Sequence, residues 1–169
     1  MISVIDYWQI DRDSFTGECC LADAEDQNTS VTSARAIARL FVIRAAAGYL
    51  DGVAAASYCA ALLAAEDPEA GALRRCLFAI QRNDTAALAG ALGDAARLSA
   101  VHLAPRSARH LAELAYDTAL EIGAWQDAYT AACMLERLAT MDECPPAAER
   151  WSVRAGIQFR RVRQAGTHI

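Results

Sequence analysis

The sequence predicts an all-α protein. Of its 169 residues, 39 are Ala, the residue with the highest helix propensity. Only four Pro and nine Gly interrupt it. These breakers fall between stretches of helix length whose apolar residues recur at helical spacing. The chain is 54% hydrophobic, too apolar for a disordered polymer, and long enough for one domain with its own core.

Each helix is marked at its ends. The first runs from about Thr32 to Ala47, with Thr32 or Ser33 as cap and Gly48 as stop. Its apolar residues Ile37, Leu40, Phe41, Val42 and Ile43 go nearly all the way round, which predicts a buried helix. Asp51 caps the second, residues 52–66. Asp67-Pro68 ends it and opens the third, 68–82, with Asp as cap and Pro at the first helical position. The fourth begins at Asp84 or Thr85 and runs to about His102, before Pro105. The fifth runs from about Arg106 or Ser107 to Ile122, and Gly123 stops it. The sixth is 124–141. Pro145-Pro146 opens the seventh, which continues to about Ala165.

These helices have a rhythm. Tight turns fall at Gly48, Asn83 and Gly123, 35 and 40 residues apart, and Pro68, Pro105 and Pro145 follow at 37 and 40. Such a period predicts stacked helical hairpins. The stretch GAWQDA, Gly123–Ala128, together with Leu111, Ala112, Ala115, Tyr116 and Ala119 before it and Ala128, Ala132 and Leu135 after it, resembles a tetratricopeptide repeat. Ala112 and Tyr116 stand where the family has Trp and Gly, and the terminal Pro is displaced to Pro145. The resemblance covers residues about 32–141. It implies three stacked antiparallel helix pairs closed by a C-terminal capping helix, a superhelix of the tetratricopeptide kind, with an irregular bundle as the alternative. It also implies a protein or peptide partner, as in adaptors and chaperones. Trp125 reads as core, packed between neighbouring helices.

Residues 1–31 form a separate, acidic arm, and residues 32–169 the single helical domain. The arm opens with ISVIDYWQI, suited to an extended segment or a short strand pair, and carries a net charge of −6. The end of the chain, residues 147–169, carries +4, and the whole chain −5. Every basic residue is Arg, with no Lys, a usage suggesting a GC-rich bacterial genome. The acidic balance disfavours nucleic acid as a partner. No basic leader precedes the first apolar residues, and the longest uncharged run, Gly52–Ala65, is too short to span a bilayer. The expectation is therefore a cytoplasmic protein with no membrane association and reduced thiols. The six cysteines form no Cys-x-x-Cys; Cys59, Cys76 and Cys133 read as small core residues, and Cys19-Cys20, among acids, as an unreactive surface pair.

Little in the sequence points to catalysis. No Gly-rich phosphate loop, Gly-x-Ser-x-Gly or His-Glu-x-x-His is present. AGALGDAA, residues 89–96, lies in a helical pattern. His102 closes a helix, where a cation meets the dipole. His110 shares a helix face with Glu113 and Asp117, the alternative centre for a helical-bundle enzyme or a metal or ligand sensor, with a solvated or salt-bridged face beside Arg106 and Arg109 as the plainer reading. No cofactor is implied. The seventh helix carries an apolar stripe, Trp151, Ala155, Phe159 and Val162, beside Arg150, Arg154 and Arg161, with Arg160 and Arg163 flanking. The stripe is expected to dock on the last hairpin. The arginines Arg150, Arg154, Arg160 and Arg161 are expected to meet a partner, or the chain's own acidic arm. Apolar surface left at an end of a three-pair stack would allow self-association. The resulting expectation is a protein–protein interaction module rather than an enzyme.

Overall fold

The computed structural model describes residues 30–59 and 67–166. Among them are seven helices and no strand: α1 (Ser30–Ala46), α2 (Gly52–Cys59), α3 (Pro68–Gln81), α4 (Thr85–Val101), α5 (Pro105–Glu121), α6 (Trp125–Met141) and α7 (Pro145–Gly166). The all-helical expectation holds. The acidic arm, with Cys19 and Cys20, lies outside the described residues except for Ser30 and Val31, which already belong to α1; so do residues 60–66, the rest of the expected second helix.

The helix starts are set by local chemistry. The Asp67 carboxylate accepts from the backbone N–H groups of Glu69 and Ala70, at 2.8 and 3.0 Å, with Pro68 at the first helical position. Asp84 caps α4 through Ala87 N–H, and Asp51 accepts from Val53 N–H. Thr32 and Ser33, the expected caps, lie inside α1, which spans Ser30–Ala46.

The turns from α3 onward are nearly identical. Helices α4, α5, α6 and α7 begin at 85, 105, 125 and 145, each 20 residues after the last. Each preceding helix closes with the same pair of bonds. Asp84, Ala104, Ala124 and Cys144 donate their N–H groups five residues back, to Ala79, Ser99, Ala119 and Ala139, at 2.9–3.0 Å. This is the Schellman closure, which puts one residue of each turn in the left-handed region. Those residues are Asn83, Leu103, Gly123 and Glu143, with φ of 52°, 57°, 70° and 52°. Only Gly123 adopts that conformation without strain; Leu103 holds it at a cost of roughly 1–2 kcal/mol.

Successive helices pack on one another. In addition, α1 touches α3 and α5, and α4 touches α6. Because direction alternates, the 83 and 123 turns lie at one end of the molecule and the 103 and 143 turns at the other. Gln81 Nε2 donates to Gly52 O at 3.5 Å, so the start of α2 sits at the first of these ends.

The core is built on a few leucines set among alanines. Leu73, Leu92, Leu111 and Leu135, one from each of α3 to α6, are at most 1% exposed. Around them are Ala72, Ala95, Ala96, Ala108, Ala112, Ala115 and Ala132, all buried. Small residues let the helix axes approach, so truncating one such Leu to Ala is expected to destabilise by about 2–5 kcal/mol. In α1, Leu40, Phe41, Val42 and Ile43 are all buried, as the all-round apolar pattern predicts. Cys59 and Cys76 are fully buried, and burial pushes each thiol up to about 12. No helix among the described residues is long and apolar enough to cross a membrane.

Candidate functional site

Two polar constellations stand out, one buried and one exposed. The buried one was not anticipated from the sequence. Arg39 of α1 and Glu69 of α3 are 1% and 0% exposed. Arg39 Nε donates to Glu69 Oε1 at 2.6 Å and Nη2 to Oε2 at 2.9 Å, a bidentate pair. Ser99 Oγ of α4 donates to Oε1 at 2.7 Å. His102, the residue that ends α4, places Nδ1 2.6 Å from Oε2. Burial alone would push the Glu69 carboxyl up. The hydrogen bonds from Arg39 and Ser99, the Arg39 charge and the His102 contact outweigh it and hold the group below its ordinary value. An ionised carboxylate only accepts, so Nδ1 carries the hydrogen and Nε2 is left on a half-buried ring.

Chemically this is a clasp. Each Glu69 oxygen already receives two donors, and no lone pair is left for a substrate. Ser99 is fully buried and bonded to Glu69, not to His102; a nucleophile–base pairing is therefore not assembled. Its effect is to tie α1, α3 and α4 at one end of the molecule. Arg35 and Asp67 extend it toward solvent, with Arg35 Nε 3.2 Å from Asp67 Oδ2.

The exposed constellation is the outward side of α7. Ala155 and Gln158 are its buried residues, with Trp151 and Val162 partly buried. The expected stripe is thus corrected at one position: Gln158, not Phe159, faces inward. The reason is Tyr116, buried in α5, whose hydroxyl accepts from Gln158 Nε2 at 3.1 Å. Phe159 is 45% exposed and leans on Tyr129 of α6, ring centroids 5.6 Å apart. Trp151 meets Tyr116 edge-on at 5.3 Å.

Arg150, Arg154, Arg160 and Arg161 are all exposed. Two of them lie over rings. Arg154 lies 4.5 Å over Trp151 and 5.9 Å from Tyr116; Arg161 lies 4.5 Å over Trp125. Trp125 is therefore not fully buried core as expected: it is partly buried, with a guanidinium over its ring. Arg163 reaches Phe159 at 5.9 Å. At 3.6 residues per turn, Val153 and Ile157 fall opposite the buried Ala155. They are 60% and 36% exposed. Arg150, Arg154 and Arg161 flank this apolar strip on one side and Arg160 on the other. Arg161 also donates from Nη1 to Gln158 Oε1 at 3.3 Å; a guanidinium lying over a ring can still offer its other edge N–H donors to carboxylates.

The His110 face gathers less. His110 and Glu113 are half-buried and Asp117 is exposed. His110 Nδ1 is buried without a hydrogen-bond partner. Burial pushes the Glu113 carboxyl up, offset in part by His110 and Arg109. Burial also raises Asp117, against the pull of Arg154. Arg109 pairs not with this face but with Asp142, joining the start of α5 to the end of α6. Among the described residues no group of three or more His, Cys, Asp or Glu stands together so as to hold a metal ion. The chain matches no protein-family model, and no curated protein or solved structure matches it.

Proposed function

We propose that the protein is an interaction module whose outward α7 face receives a protein or peptide partner. One observation carries the reading: the Val153–Ile157 strip is exposed and bordered by arginines, two of which already lie over aromatic rings. A guanidinium that rests on a ring has fewer rotamers left to lose on binding, so contacts to it return more affinity. The chemistry selects an acidic, amphipathic segment: carboxylates for Arg150, Arg154, Arg160 and Arg161, and apolar side chains for the strip.

The scaffold proposed for this face is three stacked helix pairs, α1–α2, α3–α4 and α5–α6, closed by α7, in the manner of tetratricopeptide-like arrays. The 20-residue interval of the helix starts and the contact of α4 with α6 support that arrangement. A pull-down from the native host, with an R150E/R154E/R161E variant beside the wild type, tests the reading. A partner held by the wild type and lost by the variant is expected. Equal capture by both would remove α7 from the proposal.

A further inference from the structure

We infer that the resident occupant of the α7 face is the acidic segment 1–29 of the same chain, which masks the face until an outside partner displaces it; this rests on the interaction reading above. Charge complementarity is the first support. Residues 1–29 carry Asp6, Asp11, Asp13, Glu18, Asp23, Glu25 and Asp26 against a single Arg12. Helix α7 carries Arg150, Arg154, Arg160, Arg161 and Arg163 against a single Glu149. Among the described residues, Arg150 and Arg160 make no ion pair, so their charges are open to an incoming carboxylate.

Apolar complementarity is the second. The segment offers Ile2, Val4, Ile5, Tyr7, Trp8 and Ile10 ahead of its acids. On the helix, Val153 and Ile157 are 60% and 36% exposed. An extended stretch with this composition places aromatic and aliphatic side chains on the strip and carboxylates at its arginine borders.

Reach is the third. Helix α1 starts at the end of the molecule where α3 also starts, because Arg35 and Arg39 in its first half meet Asp67 and Glu69. Helix α7 starts at that same end, after the turn at Glu143. The path from Ser30 to α7 crosses α5 and α6, a few interaxial spacings of about 8–10 Å each. Twenty-nine residues span up to ~95 Å when extended, so the tether sets no obstacle.

Holding the segment in cis gives it an effective concentration in the millimolar range. Against a site that binds the same segment at ~100 µM in trans, that suppresses outside binding about tenfold.

The absence of Lys supplies the test. In full-length R160K, the new ammonium is the sole side-chain amine, so a zero-length carbodiimide reports which carboxylate sits on it. The expected product is an intramolecular link, in the monomer band, from position 160 to Asp11, Asp13, Glu18 or their neighbours in 1–29. Links confined to carboxylates of the helical domain, or no link, would overturn the inference. So would links to 1–29 found only in the dimer band, which would assign the segment to a second copy. A labelled synthetic peptide of residues 1–29, titrated into full-length wild type and into full-length D11N/D13N/E18Q, separates this from the interaction reading. Roughly tenfold tighter, salt-sensitive binding to the neutralised variant is expected. Equal binding to both overturns the masking alone. No binding to either overturns both masking and the acidic-segment reading of α7.

Discussion

Replacing Arg39 by Met tests whether the buried clasp is an interdependent unit. Met keeps most of the apolar stem, so little hydrophobic burial is lost. What disappears is one charge and two charge-assisted hydrogen bonds, at 2.6 and 2.9 Å. Bonds to charged groups contribute about 1.5–3 kcal/mol each, which gives roughly 3–6. Breaking a buried pair by removing one partner typically destabilises by about 3–5 kcal/mol. Both routes converge near ~4 kcal/mol, because Glu69, at 0% exposure, keeps Ser99 and His102 but loses its counter-charge. Set against a usual total of about 5–15 kcal/mol, that loss is large.

The assay is urea unfolding followed by far-ultraviolet circular dichroism on wild type, R39M, E69Q and the double variant. At about 2–4 °C per kcal/mol for a chain of this size, R39M should also melt ~8–16 °C lower. The sum of the two single effects should exceed the double by about 2–3 kcal/mol, since the second substitution removes a charge the first has stranded. An R39M effect under ~1 kcal/mol, or a double variant equal to the sum, would refute the reasoning, because the two side chains would then not share a desolvated contact.

Three further outcomes are expected. Glu69 is held below its ordinary 4.5, so its contribution is present above that pH and is lost as pH falls toward its folded value; the stability gap between wild type and E69Q, measured by urea midpoints from pH 7 to pH 3, should close below about 4.5, and a constant gap would contradict the assignment. Leu103, 81% exposed with φ of 57°, should tolerate L103G with a gain of up to ~1 kcal/mol from relieved strain, set against the freedom Gly adds to the unfolded chain, whereas the same turn's counterpart G123A, at φ of 70°, should lose about 1 kcal/mol; calorimetric melting distinguishes the two signs. At pH 8, iodoacetamide should modify exposed Cys144 in the folded protein and spare Cys59 and Cys76, whose thiols stay protonated and covered; peptide mass mapping with and without denaturant reads this directly.

What the sequence made legible was local. Asp51, Asp67 and Asp84 mark helix starts because a cap acts within three residues of itself. Pro68, Pro105 and Pro145 mark first helical positions for the same reason. The inward side of α7 was legible to within one position. A count of apolar residues chooses Phe159, but a buried tyrosine hydroxyl needs a partner, and satisfying Tyr116 turns Gln158 inward instead. Trp125 misled in the opposite direction: an aromatic beside a tight turn suggests core, yet here its exposed side is covered by Arg161 from a helix that starts 20 residues later.

The clasp was illegible for a more general reason. Its members lie about 30 residues apart, on three helices. Each also has an adequate local explanation that stops the search. Glu69 sits in the first turn of α3, where a carboxylate meets the positive end of the dipole, and His102 ends α4, where a cation meets the negative end. In an antiparallel neighbour pair, the start of one helix and the end of the next share an end of the molecule. The residues each dipole favours are thereby brought side by side, and the two local preferences become one contact at 2.6 Å. Arg39 was the signal that could have exposed this. A guanidinium in a helix that is apolar all round cannot stay desolvated alone. Its counter-charge has to come from a neighbouring helix, and the acid of the first turn of α3 is the group the fold brings to it.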